Sequence, residues 1–179
     1  RIRRILQTSQ LLSTAMKTRL CLFVLLFATS ALFAQDVKTM FNDSVLHTIE
    51  IHINSADWYK QLEEDYNTNS ANPEDEPEIY RSCNVLIDGV KTDSCGIRLK
   101  GNFSYTVNKA NRKKSFKISF NAFRNQNFDG VTKINLNNGT NDPSMLREAL
   151  SYKLLRDAGI KASRCSFAKL FINAEYWGL

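Results

Sequence analysis

Two short apolar runs, at residues 83–87 and 95–99, stand on either side of Asp88-Gly89 and constrain this chain more than any other feature. Asp-Gly tolerates the positive φ angles of a tight hairpin, so the pair predicts two antiparallel strands joined by a short turn. Other segments extend the pattern. Residues 45–54 place Ile49, Ile51 and Ile53 on one face with Glu50 and His52 on the other, the period of a half-buried strand. Residues 114–120 direct Phe116, Ile118 and Phe120 inward, leaving Lys117 and Ser119 opposite and Lys113 just outside. Residues 166–172 read as a further strand, followed by an Asn173-Ala174 turn into a new apolar run. Helices are expected between them. Ser55 caps one through about Tyr66, with Trp58, Leu62 and Tyr66 facing the core. Asp142 caps another, with Pro143 in its first position and Gly159 ending it. The polar, acidic stretch 67–78 contains Pro73 and Pro77 and reads as a loop. The expected class is α+β, a mostly antiparallel sheet with a few packed helices. With 179 residues and 43% hydrophobic content the chain can bury one ordinary core.

Charge separates along the chain. Arg1, Arg3, Arg4, Lys17 and Arg19 supply most of the formal +6. Residues 35–90 carry 3 basic and 12 acidic groups, while 91–179 carry 16 and 6, so the second part is the one that should attract anions. Residues 16–34 have the anatomy of a secretory signal peptide: a basic start at Lys17 and Arg19, an apolar run of about 14 residues, and a small residue, Ala34, at the cut. That run is short for a membrane span of roughly 20 residues. Residues 1–15 then read as upstream translated sequence and 35–179 as the domain. Export follows, with no stable membrane span after signal removal. The end of the chain, directly after a strand and turn, reads as a truncation within the domain.

Familiar catalytic patterns are not visible: no HExxH, Walker loop or Ser-His-Asp arrangement. His47 and His52 fall on opposite faces of one strand and are assigned no role. Cys83 and Cys95 are strand neighbours, on matching faces if the hairpin loop spans three residues. A disulfide and a pair of buried thiols both remain open, and Cys165 matches no zinc spacing. The stretch 98–148 places lysines, a Gly101-Asn102 turn and a capped helix start in an order suited to anion binding. The same pattern also describes a strand-ending turn beside a solvated edge, with Glu148 paired locally to Arg147 or Tyr152. Spacing alone favours that simpler reading. The positive region lacks an interleaved aromatic platform, so nucleic acid is not an expected partner. Trp58 and Trp177 occupy core positions rather than an exposed sugar platform.

The ordered set IRLKGNFS, KKSFKISF, GVTKINLNN, DPSMLREALSYKL and AGIKASRCSFAKLFINAEYWGL closely resembles the CotH family, the spore-coat-protein-H-like atypical protein kinases, from roughly residue 45 to 179. The resemblance implies a fold like the N-lobe of an atypical kinase. It also implies an ATP- and Mg²⁺-dependent transfer of phosphate to an extracellular or coat protein, of the Ser/Thr type. Carried onto this chain, it makes Arg98, Lys100, Gly101, Asn102 and Ser104 a phosphate-facing loop, Lys114 or Lys117 the nucleotide lysine, and Glu148 its helix partner. Asn137, Asn138 and Asp142 match the family's LNN and DPS signature and position the helix. The metal-binding and catalytic aspartates of the family are expected after Leu179, so this piece alone is expected to be inactive. The alternative is an exported coat or adhesion module that uses the same fold without catalysis.

Overall fold

A computed structural model describes residues 40–71, 78–107 and 110–178, all within the compact unit Thr39–Leu179. The expected signal peptide and residues 72–77 of the expected loop lie outside the described residues. In chain order the elements are β1 (Leu46–His52), α1 (Trp58–Ala71), β2 (Arg81–Ile87), β3 (Val90–Lys100), α2 (Asn102–Val107), β4 (Ser115–Ser119), β5 (Lys133–Leu136), α3 (Arg147–Asp157), β6 (Phe167–Ile172) and β7 (Glu175–Gly178). The strands form one sheet, ordered β5-β4-β3-β2-β1-β6-β7. Every pairing is antiparallel except β1 with β6, which is parallel. The class is therefore α+β with a mostly antiparallel sheet.

The hairpin forms where the Asp-Gly pair demands it. Asp88 (φ 50°) and Gly89 (φ 83°) make a two-residue turn, and Ile87 pairs with Val90. A three-residue loop is not needed to align the cysteines, because a bulge does the work. Ser94 takes φ 57°, donates its amide to Asn84 Oδ1 at 3.1 Å, and shifts the register so that Cys83 lies opposite Cys95. Both face the core as free thiols. Burial pushes the Cys83 thiol well up and that of Cys95 to about 11.

The helices depart from expectation at their starts. The amide of Ser55 closes a tight turn onto the Ile53 carbonyl, and the first helical bond of α1 runs from Gln61 N–H to the Asp57 carbonyl. The helix then continues through Ala71, past the expected end at Tyr66, because no glycine or proline interrupts residues 58–71. Trp58 and Leu62 pack into the core, and buried Asp65 receives a two-pronged bond from Arg81 of β2 at 2.5 and 2.7 Å. α3 begins at Arg147 rather than Pro143, because Met145 adopts φ 57° and breaks the helical path. Asp142 still serves the helix from a distance: one carboxylate oxygen accepts the Ser144 amide and the other the Arg147 amide. Glu148 thus lies in the first turn. At the other end, Gly159 (φ 76°) completes a left-handed cap, with its amide on the Arg156 carbonyl and that of Ile160 on Leu155.

Phe116, Ile118 and Phe120 are fully buried, joined by Ile49, Ile51 and Ile53 of the β1 segment and by Val85 and Ile87. Each such side chain contributes roughly 1.5–3 kcal/mol. β4 and β7 stand far apart in strand order, yet the rings of Phe116 and Trp177 are 6.2 Å apart. The sheet therefore curls, and its inner face closes on itself. Trp177 also meets Trp58 at 5.4 Å and Tyr59 at 5.9 Å, so α1 packs into the opening of the curl. No helix among the described residues is long and apolar enough to cross a membrane.

Candidate functional site

Strand alternation turns Arg98 and Lys117 away from the core, and the register of β3 with β4 sets them side by side. Both bind one carboxylate. Lys117 Nζ lies 3.2 and 3.4 Å from the two oxygens of Glu78, and an Arg98 amino group donates to the same side chain. The Tyr80 hydroxyl donates to Glu78 at 2.9 Å, and the Arg98 guanidinium stands 5.7 Å from the Tyr80 ring centre. Desolvation alone would raise the Glu78 carboxyl, but the Tyr80 hydroxyl, Lys117 and Arg98 together hold it below its ordinary value. Arg98 makes a further bond to the Leu99 carbonyl, while its Nε is buried without a partner.

Lys100 follows two residues later on the same face. Its ammonium donates to Asn137 Oδ1 at 3.0 Å, and the Asn137 amide donates to both Glu148 oxygens at 2.9 and 2.7 Å. Glu148 is thus joined to Lys100 through an asparagine, whereas the bonds of Lys117 go to Glu78. Burial pushes the Lys100 ammonium below its ordinary value; Lys117 and Arg98 add to the effect and Glu148 opposes it. An anion brought to this face would relieve that deficit.

The remaining candidate residues lie at the end of β3 and inside the curl. Gly101 takes φ 87°, and α2 begins immediately, so the expected loop is a six-residue helix. That positive φ favours glycine, and a Cβ there would also crowd Ser104 Oγ. Asn102 Oδ1 accepts the Tyr66 hydroxyl at 3.2 Å. Lys114 is 3% exposed on the inner side, with Nζ 4.6 Å from the centre of the Tyr105 ring, itself stacked on Tyr66. Lys114 and Lys117 therefore occupy opposite faces, as their parity requires.

The asparagines after β5 tie loop to strand. Asn138 accepts the Ser115 and Thr140 hydroxyls at 3.1 and 2.6 Å and donates to the Lys113 carbonyl at 2.8 Å. Asn137 goes further, since it connects α3 to Lys100. Sequence reasoning missed Glu78, Tyr80 and this bridging role; Glu78 is 39 residues from Lys117, a pairing that no local spacing announces. Among the described residues no group of three or more His, Cys, Asp or Glu could hold a metal ion.

The inner face bounds a cavity of about 710 Å³, with Ile49, Ile134, Leu170 and Trp177 among its walls together with the candidate residues Lys114, Asn137, Asn138, Asp142 and Glu148. His47 lines it too, 1% exposed, with Nδ1 2.7 Å from Asp88 Oδ2.

Comparison with protein families finds a match over residues 97–179 to the family described as CotH kinase protein. The matched segment starts one residue before Arg98 and includes every candidate residue from Arg98 to Glu148. No curated protein matches the chain.

Proposed function

Over residues 97–179 the chain belongs to the CotH kinase family, and from that premise we propose that the complete protein is an exported atypical protein kinase. In this reading it transfers phosphate from ATP, with Mg²⁺, to hydroxyl groups of an extracellular or coat protein, and the curled sheet corresponds to a kinase N-lobe. The observation that carries the proposal is the set of three cations, Arg98, Lys100 and Lys117, on one face of β3 and β4, with burial disfavouring the charged form of Lys100. Phosphoryl transfer depends mainly on positioning and on neutralising charge that develops on the phosphate oxygens.

These residues fit a polyphosphate. Lys117 and Arg98, held by Glu78 and Tyr80, present cations without rotational freedom. Asn137 and Glu148 hold Lys100, an indirect version of a strand-lysine and helix-glutamate pair. The unpartnered Nε of Arg98 offers a further donor. Gly101, Asn102 and Ser104 lie beside them and fix the end of β3. Magnesium, when bound, would neutralise phosphate charge, but the described residues assign it no ligand set. Export rests on residues 16–34 as a signal peptide.

The test is phosphorylation by the full-length protein supplied with ATP and Mg²⁺. Lys100→Ala and Lys117→Ala should each lower transfer by about 10²–10³-fold, and Lys114→Ala separates the inner lysine from the outer pair. Undiminished transfer in all three variants would overturn the assignment. One observation favours the non-catalytic coat or adhesion reading: Glu78 already pairs with Arg98 and Lys117 from within and offsets one of their two charges. On that reading surface attachment survives loss of the lysines and no transfer is measured.

A further inference from the structure

An irregularity in the β2–β3 hairpin, rather than its regular register, brings Cys83 and Cys95 together. From the Asp88-Gly89 turn the pairs run Ile87 with Val90, Leu86 with Lys91 and Val85 with Thr92. Continued without a break, that register would set Cys83 opposite Ser94 and Cys95 opposite Ser82, with the two thiols on opposite faces of the sheet. The bulge at Ser94 adds one residue to β3, and Cys83 then pairs with Cys95. Both side chains face the core, 3% and 0% exposed. They are near enough that Cys95 adds to burial in raising the Cys83 thiol.

These positions meet the geometry of a disulfide. Directly opposed residues of an antiparallel pair stand about 4.5–5.5 Å apart at Cα, within the roughly 4.4–6.8 Å that a disulfide spans. The sheet excludes Cys165, the third cysteine among the described residues. Cys165 shortly precedes Phe167, which pairs with Leu46, whereas Cys83 adjoins Asn84, which pairs with His52. Leu46 and His52 are the two ends of β1, so about 20 Å of strand lies between the cysteines.

We propose that Cys83 and Cys95 form a modification site, oxidised to a cross-strand disulfide as the exported chain folds. The co-reactant is a low-molecular-weight disulfide of the oxidised-glutathione class. One cysteine thiolate attacks it and releases a small thiol, and the second cysteine thiolate then attacks the protein sulfur of the mixed disulfide and releases another. The protein gives up two electrons and two protons, and the oxidant leaves as two thiols. The exchange belongs to the folding chain, because neither thiol is accessible once the hairpin has closed. The bond ties β2 to β3 between the two halves of the outer cluster: Glu78 and Tyr80 precede β2, and Arg98 and Lys100 lie at the end of β3. It thereby fixes the register on which the contact of Glu78 with Arg98 depends. The oxidant in the cell rests on the export reading, whereas the pairing of the two sulfurs does not.

The test refolds denatured, reduced full-length protein in a mixture of oxidised and reduced glutathione. Peptide mapping without reductant should show Cys83 joined to Cys95 in a species about 2 Da lighter than the dithiol, with Cys165 open to iodoacetamide. Protein refolded under excess reductant should unfold roughly 5–10 °C lower. Cys165→Ser should keep that difference, and the double variant Cys83→Ala/Cys95→Ala should abolish it. The peptide map needs no variant to fold. Alkylation of both Cys83 and Cys95 in the denatured product, a linkage to Cys165, or an unfolding temperature indifferent to the redox buffer overturns the proposal. Formation of the bond in the glutathione mixture, together with reduced thiols in protein isolated from its native cells, overturns the export reading alone.

Discussion

At the scale of single residues, Gly96 and Glu78 show why particular side chains are required. Gly96 lies in β3 where a Cβ would stand 2.6 Å from that of Ala122 and 2.9 Å from that of Tyr80. Those atoms are fixed to their backbones and cannot swing away, so Gly96→Ala must separate two segments. The expected cost is about 1–3 kcal/mol, read as a lower urea midpoint with an unchanged slope. An unaltered midpoint would show that the strand yields freely there. Glu78 makes a pH-dependent contribution. Its carboxyl lies below the ordinary value in the folded state, so the stability it adds is present above the unfolded value and lost as pH falls through the folded one. Glu78→Gln should therefore flatten the loss of stability in the acid range. It should also raise the affinity of the outer face for inorganic phosphate at neutral pH, because Arg98 and Lys117 lose their internal counter-charge. Stability curves and phosphate titrations of the two proteins check both outcomes.

At the scale of elements, local chemistry shows where it decides structure and where it does not. The β2–β3 hairpin, the glycine cap at Gly159 and the Asn173-Ala174 turn were legible because each rests on residues adjacent in sequence, with positive φ at Asp88, Gly159, Asn173 and Ala174. The starts of α1 and α3 were not. A cap residue before an apolar run looks the same whether the helix begins there or several residues later, and only the reversal at Met145 displaces α3. Likewise, the opposite faces of Lys114 and Lys117 follow from parity, but the choice of Glu78 as partner depends on how the segment after α1 returns to the sheet. That return is fixed partly by the Arg81–Asp65 fork. Asp65→Ala should destabilise the protein by about 1.5 kcal/mol, at the lower end for charged hydrogen bonds because Arg81 is 42% exposed and water replaces part of the bond. Chemical denaturation measures it, and no loss would mean that Trp58 and Leu62 hold α1 without help.

At the scale of the whole molecule, the opposite charges of the two stretches of chain meet across the fold, since Glu78 binds both Arg98 and Lys117. Charge separation in the sequence therefore serves internal pairing as well as any anion. The curl itself had no sequence signature, because the parallel β1–β6 pairing joins residues 121 positions apart, such as Leu46 and Phe167. Trp177 is what closes it. Its ring stands 6.2 Å from Phe116, 5.4 Å from Trp58 and 5.0 Å from the Arg112 guanidinium, so one side chain couples β7, β4 and α1. Trp177→Ala should cost about 2–4 kcal/mol, since the residue is only partly buried and full burial sets the upper end. The loss should also be directional. The β2–β3 hairpin keeps its own turn and register, whereas β7 is an edge strand whose inner face loses its neighbour. Native-state hydrogen exchange should therefore accelerate in β7 and β6 well before the hairpin amides respond. Equal acceleration across all strands would mean that the sheet opens as one unit and that the curl is maintained by the hydrophobic core rather than by this contact between its ends.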